Sequence, residues 1–301
     1  MKLCIVIVTY NAMPWLSKCL ESTKDYAVIA VDNNSNDGTV NFINTNYPEV
    51  TLLQQTKNLG FGNANNIGIS YALKNGADYV FLLNQDAYLQ EGTIEKLIEV
   101  HKANRGFGIL SPIHLNGSGT NLDKNFASYI KTNDTLFNDA LKQTFTKSIY
   151  EVPFVNAAAW LLPKATLETV GGFDPIFYHY AEDDNYCQRA IYHKLKIGVV
   201  PNIYVRHDRE FRTAQNNISQ SEMIKRLERS YKHKWANVNI NGLEQLHNRK
   251  RYLKKLIFKL KLKLRFTVAQ QYQKELQLIN NIEPKIATSL QKNKIKGLHY
   301  L

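Results

Sequence analysis

The stretch "YVFLLNQDAY", residues 79–88, decides how the chain reads. An apolar run from Tyr79 to Leu83 gives way abruptly to the polar Asn84, Gln85 and Asp86. Such an unbroken run fits a strand buried on both faces, because helices cover both sides of a parallel sheet. The polar segment then falls at the strand's carboxyl end, where open α/β sheets bind their ligands.

The same alternation extends to either side. "LCIVIV" (3–8), "AVIAV" (27–31), "VTLLQQ" (50–55) and "FGIL" (107–110) read as further strands. Between them, "PWLSKCLES" (14–22), "GTVNFINTN" (38–46), "GFGNANNIGISYALKNG" (60–76) and "GTIEKLIEVHKAN" (92–104) have helical spacing. Pro14 at a helix start and Gly76 past a helix end support these assignments. Repeated β-α-β units predict an α/β fold with a doubly wound, mostly parallel, Rossmann-like sheet and flanking helices. Residues 112–151 are rich in Asn, Ser, Thr and Gly and predict loops and short strands. After them come a helical "EDDNYCQRAIYHKL" (182–195), strand-like "KIGVVP" and "IYVRH", and a helix near 218–236.

Composition narrows the class. A chain of 301 residues with 44% hydrophobic and 21% charged residues is an ordinary globular protein, not a disordered one. No run approaches 18 uninterrupted apolar residues, so no transmembrane helix is expected. The start, "MKLCIVIVTYN", has too short an apolar core for a signal peptide, so a cytosolic start is expected. Cys4, Cys19 and Cys187 are widely spaced and odd in number, which favours buried free thiols over a disulfide framework or zinc site.

Charge divides the chain. Residues 241–301 hold 14 Lys or Arg against three Glu, a net of +11 out of +12. The expected organisation is therefore a near-neutral domain over 1–240 and a basic, mainly helical extension over 241–301.

Several segments carry chemistry. In "VTYN" (8–11), Tyr10 at a strand end can stack on a nucleobase while the Thr9 hydroxyl hydrogen-bonds it, or can simply pack. In "VDNNSNDGT" (31–39), Asp32 can accept from a base or ribose, or belong to a polar turn; Asp37-Gly38 reads as turn and helix cap. "NLGFGNANNIGI" (58–69) enters a helix like a phosphate-cradling loop but matches neither the dinucleotide fingerprint nor the P-loop. Asn63, Asn65 and Asn66 in it cannot neutralise charge, so if a diphosphate binds nearby a cation must come from elsewhere. Asp86 can hold Mg²⁺ or Mn²⁺ if substrate phosphates complete the shell, or it can cap a turn. "FYHYAEDDNYCQRA" (177–190) sets Glu182, Asp183 and Asp184 behind Phe177, Tyr178, His179 and Tyr180. Acids beside an aromatic wall fit a general base with an adjusted pKa. His207, at the end of "YVRH" (204–207), becomes a metal ligand only if the fold brings it to Asp86.

In this order, "VTYN", "VDNNSNDGT", "NLGFGNANN", "LLNQD", "GGFDPIFYHYAEDDNYCQR" and "RH" resemble the inverting family 2 glycosyltransferases of GT-A fold, nearest their rhamnosyltransferase-like members. The resemblance covers roughly residues 1–210. It implies that Thr9 and Tyr10 contact the nucleoside, that Asp32 binds base or ribose, and that Asn65, Asn84 and Gln85 lie beside the nucleotide sugar. It implies that Asp86, matching the last acid of the family's D-x-D element, binds the divalent metal (Mg²⁺ or Mn²⁺), with His207 as a further ligand. Asp183 matches the catalytic base and Glu182 its orienting partner. Asn84 stands where that element has its first acid, and Asn185 where relatives often carry a second acid after the pair. The implied donor is a dTDP- or UDP-linked sugar, and the implied acceptor a lipid-linked or polysaccharide glycan. Two other classes compete: a non-catalytic nucleotide-sugar-binding scaffold, which retention of Asp86 and Asp183 opposes, and a nucleotidyltransferase, which would need a basic Gly-rich loop near the start.

The tail stretch "RKRYLKKLIFKLKLKLRF" (249–266) puts Leu253, Leu256, Ile257, Leu260 and Leu264 on one helical stripe. That pattern fits either an interfacial helix on an anionic membrane or a helix packing its stripe on the catalytic domain. The stretch from 258 to 266 also alternates strictly, as a strand would. No known nucleic-acid motif is present, so a nucleic-acid partner is not expected. The expected location is the cytoplasm, at the inner face of the cytoplasmic membrane if the tail binds lipid and not the catalytic domain.

Overall fold

The computed structural model describes residues 1–209 and 219–301. Residue 218, where the helix near 218–236 was expected to begin, lies outside the described residues. The described residues form two compact units, one of residues up to 209 with 296–301 and one of 219–295.

The first unit opens with β1 (Leu3–Thr9), α1 (Leu16–Glu21), β2 (Ala27–Asp32), α2 (Thr39–Asn46), β3 (Thr51–Gln54), α3 (Phe61–Lys74) and β4 (Tyr79–Asn84). β5 (Ala87–Leu89), α4 (Thr93–Ala103) and β6 (Phe107–Asn116) follow, then α5 (Lys124–Ile130), α6 (Asp134–Leu141), β7 (Tyr150–Glu151), β8 (Ala159–Pro163) and α7 (Lys164–Val170). α8 (Glu182–Tyr192) and β9 (Lys196–His207) complete it. The strands make one sheet in the order β3-β2-β1-β4-β8-β6-β9-β5, with β7 beside β9. The β3-β2-β1-β4 half is parallel throughout, as the β-α-β reading requires, and β8 joins it antiparallel to β4.

Strand residues alternate between two cores. Val6, Val31 and Leu82 pack on one face, while Ile5, Ile7, Ala30 and Leu83 pack on the other. With both faces covered, every position is apolar, which is why these strands read as unbroken runs. All three cysteines are buried free thiols.

Two segments hold more regular structure than their sequence predicts. The 112–151 excursion contains the helices α5 and α6, and β6 continues to Asn116. Polar residues concealed that extension: Ser111 and His114 are fully buried and bond each other at 2.9 Å. The expected strands "KIGVVP" and "IYVRH" are one strand, β9, in which Asn202 takes a left-handed φ of 61° where the register against β6 shifts. A bulge of this kind lets a strand continue past a break in its pattern.

The second unit is helical: α9 (Gln220–Trp235), α10 (Gly242–Leu262) and α11 (Phe266–Asn293). The strand option for 258–266 does not occur; this stretch is the end of one helix and the turn into the next. Among the described residues no helix is long and apolar enough to cross a membrane.

Candidate active site

Register builds the site. Thr9 pairs with Asp32 and Val8 with Asn84, so the carboxyl ends of β1, β2 and β4 deliver their polar segments to one edge. A cavity of about 410 Å³ opens there, lined by Tyr10, Trp15, Asn33, Asn58, Gly60, Phe61, Asn84, Gln85, Asp86, Tyr178 and His179, among others. Gln85 clamps Tyr10 from both sides: its Oε1 accepts from the Tyr10 N–H at 2.7 Å and its Nε2 donates to the Tyr10 carbonyl at 3.2 Å. The backbone is fixed while the Tyr10 ring stays 47% exposed, free to face a flat ligand.

Asp32 and Thr9 lie beneath this surface, fully buried, and neither lines the cavity. Asp32 accepts from the Thr9 hydroxyl at 3.1 Å, the Ser35 hydroxyl at 2.5 Å and the Ser35 N–H at 3.0 Å. It shapes the loop that follows β2. Its neighbour Asn33 does line the cavity, accepting from the Leu59 N–H at 2.7 Å and donating to Asn58 Oδ1 at 3.0 Å. Asn65 is also away from the cavity; its amide donates to the Phe61 carbonyl of its own helix at 3.0 Å. Asn66, by contrast, pins the "GGF" turn, bonding both the N–H and the carbonyl of Phe173.

The glycines of "GFG" prove to be packing devices. A Cβ on Gly60 would meet the Tyr178 carbonyl at 1.9 Å, and one on Gly62 would meet Phe173 at 2.9 Å. They let the aromatic wall lie directly on the start of α3 and close one side of the cavity. No spacing rule applied to the loop alone reveals this partner.

The structure brings Asp86 and His207 together. β5 pairs antiparallel with β9, matching Ala87 to His207, and the Asp208 N–H donates to the Asp86 carbonyl at 2.7 Å. His207 Nε2 then stands 3.3 Å from Asp86 Oδ1, both side chains buried. Behind it, His207 Nδ1 is 3.9 Å from Asp123 Oδ2 and 3.3 Å from Arg209 Nη2, and Arg209 Nε donates to Asp123 at 2.7 Å. Burial alone would raise the Asp123 carboxyl, but the Phe126 N–H and the charges of Arg209 and His207 hold it below the usual range. Burial first, and then His207, push the neighbouring His114 down to about 3, so it stays neutral.

These residues fit a divalent ion only in part, and in an informative way. Among the described residues no cluster of three His, Cys, Asp or Glu could hold a metal. Asp86 and His207 offer two donors, and the buried Asn84 Oδ1 on the cavity wall has no hydrogen-bond partner. Mg²⁺ and Mn²⁺ accept such sparse sites when phosphate oxygens and water fill the remaining positions.

Asp183 enters from α8. Tyr180 and Ala181, immediately before that helix, both take left-handed φ values of 67° and 70°. Two consecutive non-glycine residues in this region store strain, which concentrates at functional sites. The turn leaves Asp183 partly buried, its Oδ1 accepting from the Asp184 N–H at 2.9 Å. Burial, and then the charge of Asp184, push its carboxyl up to about 6. Tyr129 of α5 lies near enough for Asp183 to help burial raise its phenol to about 12. Asp123, Tyr129 and Arg209 were not singled out in the sequence; Asp123 also caps α5, accepting from the Asn125 and Phe126 N–H groups.

The sequence profile described as Glycosyl transferase family 2 matches residues 4–161. The chain belongs to this family. The match contains the β1, β2 and β4 ends and Asp86, and stops before Asp183 and His207. The family 2 glycosyltransferase is 25% identical over 209 residues to the dTDP-rhamnosyl transferase RfbF of Shigella flexneri, covering 67% of each chain. It is 26% identical over 205 residues to an N-acetylglucosaminyl-diphospho-decaprenol L-rhamnosyltransferase of Mycobacterium tuberculosis, covering 60% of this chain and 67% of that one. Its fold is similar to that of GalNAc-T7, solved with UDP, GalNAc and Mn²⁺, with a TM-score of 0.57 and 13% identity. That match covers 78% of this chain and spans half of the GalNAc-T7 chain. The GT-A architecture and the glycosyltransferase class expected from the motifs are thus met.

Proposed function

We propose that this chain is an inverting, metal-dependent transferase that moves a sugar, rhamnose being the leading choice, from a dTDP- or UDP-linked donor to a hydroxyl of a lipid-linked or surface-polysaccharide acceptor. One observation carries the reading: Asp86 and His207 meet beside the Tyr10 cavity, and the same unit presents Asp183 with a raised pKa on a strained turn. The relatives named as rhamnosyltransferases support the donor, and the decaprenol in one name supports a lipid-linked acceptor.

In this reading Tyr10 stacks on the base, with Gln85 holding its backbone in place. Asp86 and His207 would hold Mg²⁺ or Mn²⁺, and the ion would supply charge to offset that on the departing diphosphate. Asp183 takes the proton of the acceptor hydroxyl as its oxygen bonds C1 from the face opposite the diphosphate. The C1–O bond to phosphate breaks, the nucleoside diphosphate leaves with the electron pair, and the anomeric configuration inverts. Glu182, buried at the start of α8, orients Asp183 or the acceptor. The enzyme works at the cytosolic face of a membrane, where such acceptors are held.

A panel of nucleotide sugars, assayed for nucleoside diphosphate release with and without Mn²⁺, tests the reading. Release from one dTDP- or UDP-sugar, dependent on divalent ion and giving an inverted product by NMR, supports it. Undiminished release in chelator, or a retained anomer, overturns it.

A further inference from the structure

The alternating segment "KLKLRFTV", residues 261–268, is neither a strand nor a buried helical stripe. Within the helical unit, α10 buries Leu246, Leu253 and Ile257 and packs along α11, which buries Ala269, Ile279, Ile282 and Ile286. The two helices meet at Lys263 and Leu264, the latter in a left-handed conformation with φ 56°. All eight residues from 261 to 268 are exposed. Leu262 is 69% exposed, Leu264 75%, Phe266 59% and, one turn earlier, Phe258 64%.

A hairpin that has already covered its apolar stripe gains nothing in water from four more large apolar groups at its tip. Their setting says what they face. Lys254, Lys255, Lys259, Lys261, Lys263 and Arg265 surround them, and no Asp or Glu occurs between Glu244 and Glu275. The acids of α11, Glu275 and Glu283, are taken by Arg249 and Lys250, away from the tip. A second copy would bring the same dense positive charge against itself. A nucleic acid would leave Leu262, Leu264 and Phe266 unused. An anionic bilayer takes both parts, seating apolar side chains at the acyl boundary and basic ones among the headgroups.

We infer that the α10–α11 tip, with Leu262, Leu264 and Phe266 as its wedge, is the contact of this protein with an anionic lipid surface. The inference does not rest on the catalytic reading. The face that binds differs from the stripe at 253–264 that the sequence offered, because most of that stripe is spent on α11.

The test is flotation of the full chain with vesicles of neutral phosphatidylcholine and of phosphatidylcholine mixed with phosphatidylglycerol. The wild type floats with the anionic vesicles and poorly with the neutral ones. The Leu262→Ser/Leu264→Ser/Phe266→Ser variant, altered only at exposed positions, keeps its thermal midpoint and loses about tenfold or more in anionic-vesicle binding. Lys261→Gln/Lys263→Gln/Arg265→Gln loses the preference for anionic lipid. Equal flotation of the wild type and the serine variant overturns the inference. So does the absence of flotation, or a dimer in sedimentation that the serine variant abolishes. Nucleoside diphosphate release in detergent-free solution, measured on the same variants, separates this outcome from any failure of the catalytic reading.

Discussion

His207 Nε2 lies 3.3 Å from Asp86 Oδ1, joined across the sheet by the pairing of β5 with β9. Neither residue on its own distinguishes a metal site from a turn or a strand end. In the proposed reading these two residues, buried beside a cavity with Asn84 Oδ1 unsatisfied on its wall, would be the protein donors to a divalent ion, with phosphate oxygens completing its shell. Asp86→Ala is expected to lower metal-stimulated turnover by about 100-fold or more, as loss of the charged ligand removes the ion from the diphosphate. His207→Ala, which keeps that carboxylate, is expected to raise the Mn²⁺ concentration needed for half-maximal rate by roughly 10–100-fold. Mn²⁺ titrations of both variants check the pair; an unchanged Mn²⁺ requirement in His207→Ala removes the histidine from the site.

Asp183, the proposed base, is expected to set the pH behaviour. With its carboxyl raised to about 6, turnover at saturating donor is expected to fall as pH drops through that value, because the proposed base becomes protonated. Stability runs the other way. A carboxyl whose folded pKa lies above its unfolded one favours folding fully below the unfolded value, near 4, and loses that contribution as pH rises through about 6. Asp183→Asn is therefore expected to melt higher than wild type at pH 8, by roughly 2–4 °C for about 1 kcal/mol relieved, with the gap closing near pH 4. Melting curves at the two pH values check the sign.

Gly60 tests the packing of the aromatic wall. It sits at φ 81°, and a Cβ there meets the Tyr178 carbonyl at 1.9 Å. Gly60→Ala is expected to cost about 2–4 kcal/mol and to weaken nucleotide binding by moving Tyr178 and His179. Gly38, at φ 93° with nothing within 4 Å of its Cβ position, is the control, and Gly38→Ala is expected to cost only about 1 kcal/mol. Urea melts that place the two variants together would contradict the contact.

Arg189 supports the helix that carries Asp183. Fully buried, it donates to the carbonyls of Val170 at 2.9 Å and Gly172 at 2.6 Å and to Asn185 Oδ1 at 3.0 Å, with Tyr186 and Tyr300 against its guanidinium. Arg189→Leu leaves those acceptors buried and unpaired and is expected to cost about 3–5 kcal/mol. Arg189→Lys, lacking the planar fork, is expected to recover less than half of that loss. Denaturant midpoints decide; a Lys variant as stable as wild type would assign Arg189 a point-charge role instead.

The parallel half of the fold was legible because burial on two faces leaves strands such as Val80–Leu83 with no polar positions to confuse the pattern. β6 was cut short at residue 110 because Ser111 and His114 satisfy each other inside the core, a compensation that a linear pattern does not show. The site followed the same rule. Tyr10, Gln85 and Asp86 sit where strand ends put them, since local sequence determines strand ends. Asn65, on α3, donates to the Phe61 carbonyl, while Asn33 and Asn58, in the loops after β2 and before α3, line the cavity; the course of those loops is set by tertiary packing that a linear pattern does not show. Asp123 reaches His207 only through a tertiary contact, and Arg209, two residues beyond His207, takes its place there by binding Asp123, so neither segment alone marked them. The tail's alternation read as an undecided strand or stripe because a hairpin turn exposing apolar groups has no periodic signature.

The most direct test is Asp183→Asn, measured for sugar transfer and, by calorimetry, for binding of the nucleoside diphosphate with Mn²⁺. Loss of transfer by about 100-fold or more with nucleotide affinity unchanged is the result expected of a lone catalytic base. Turnover equal to that of the wild type would contradict the account.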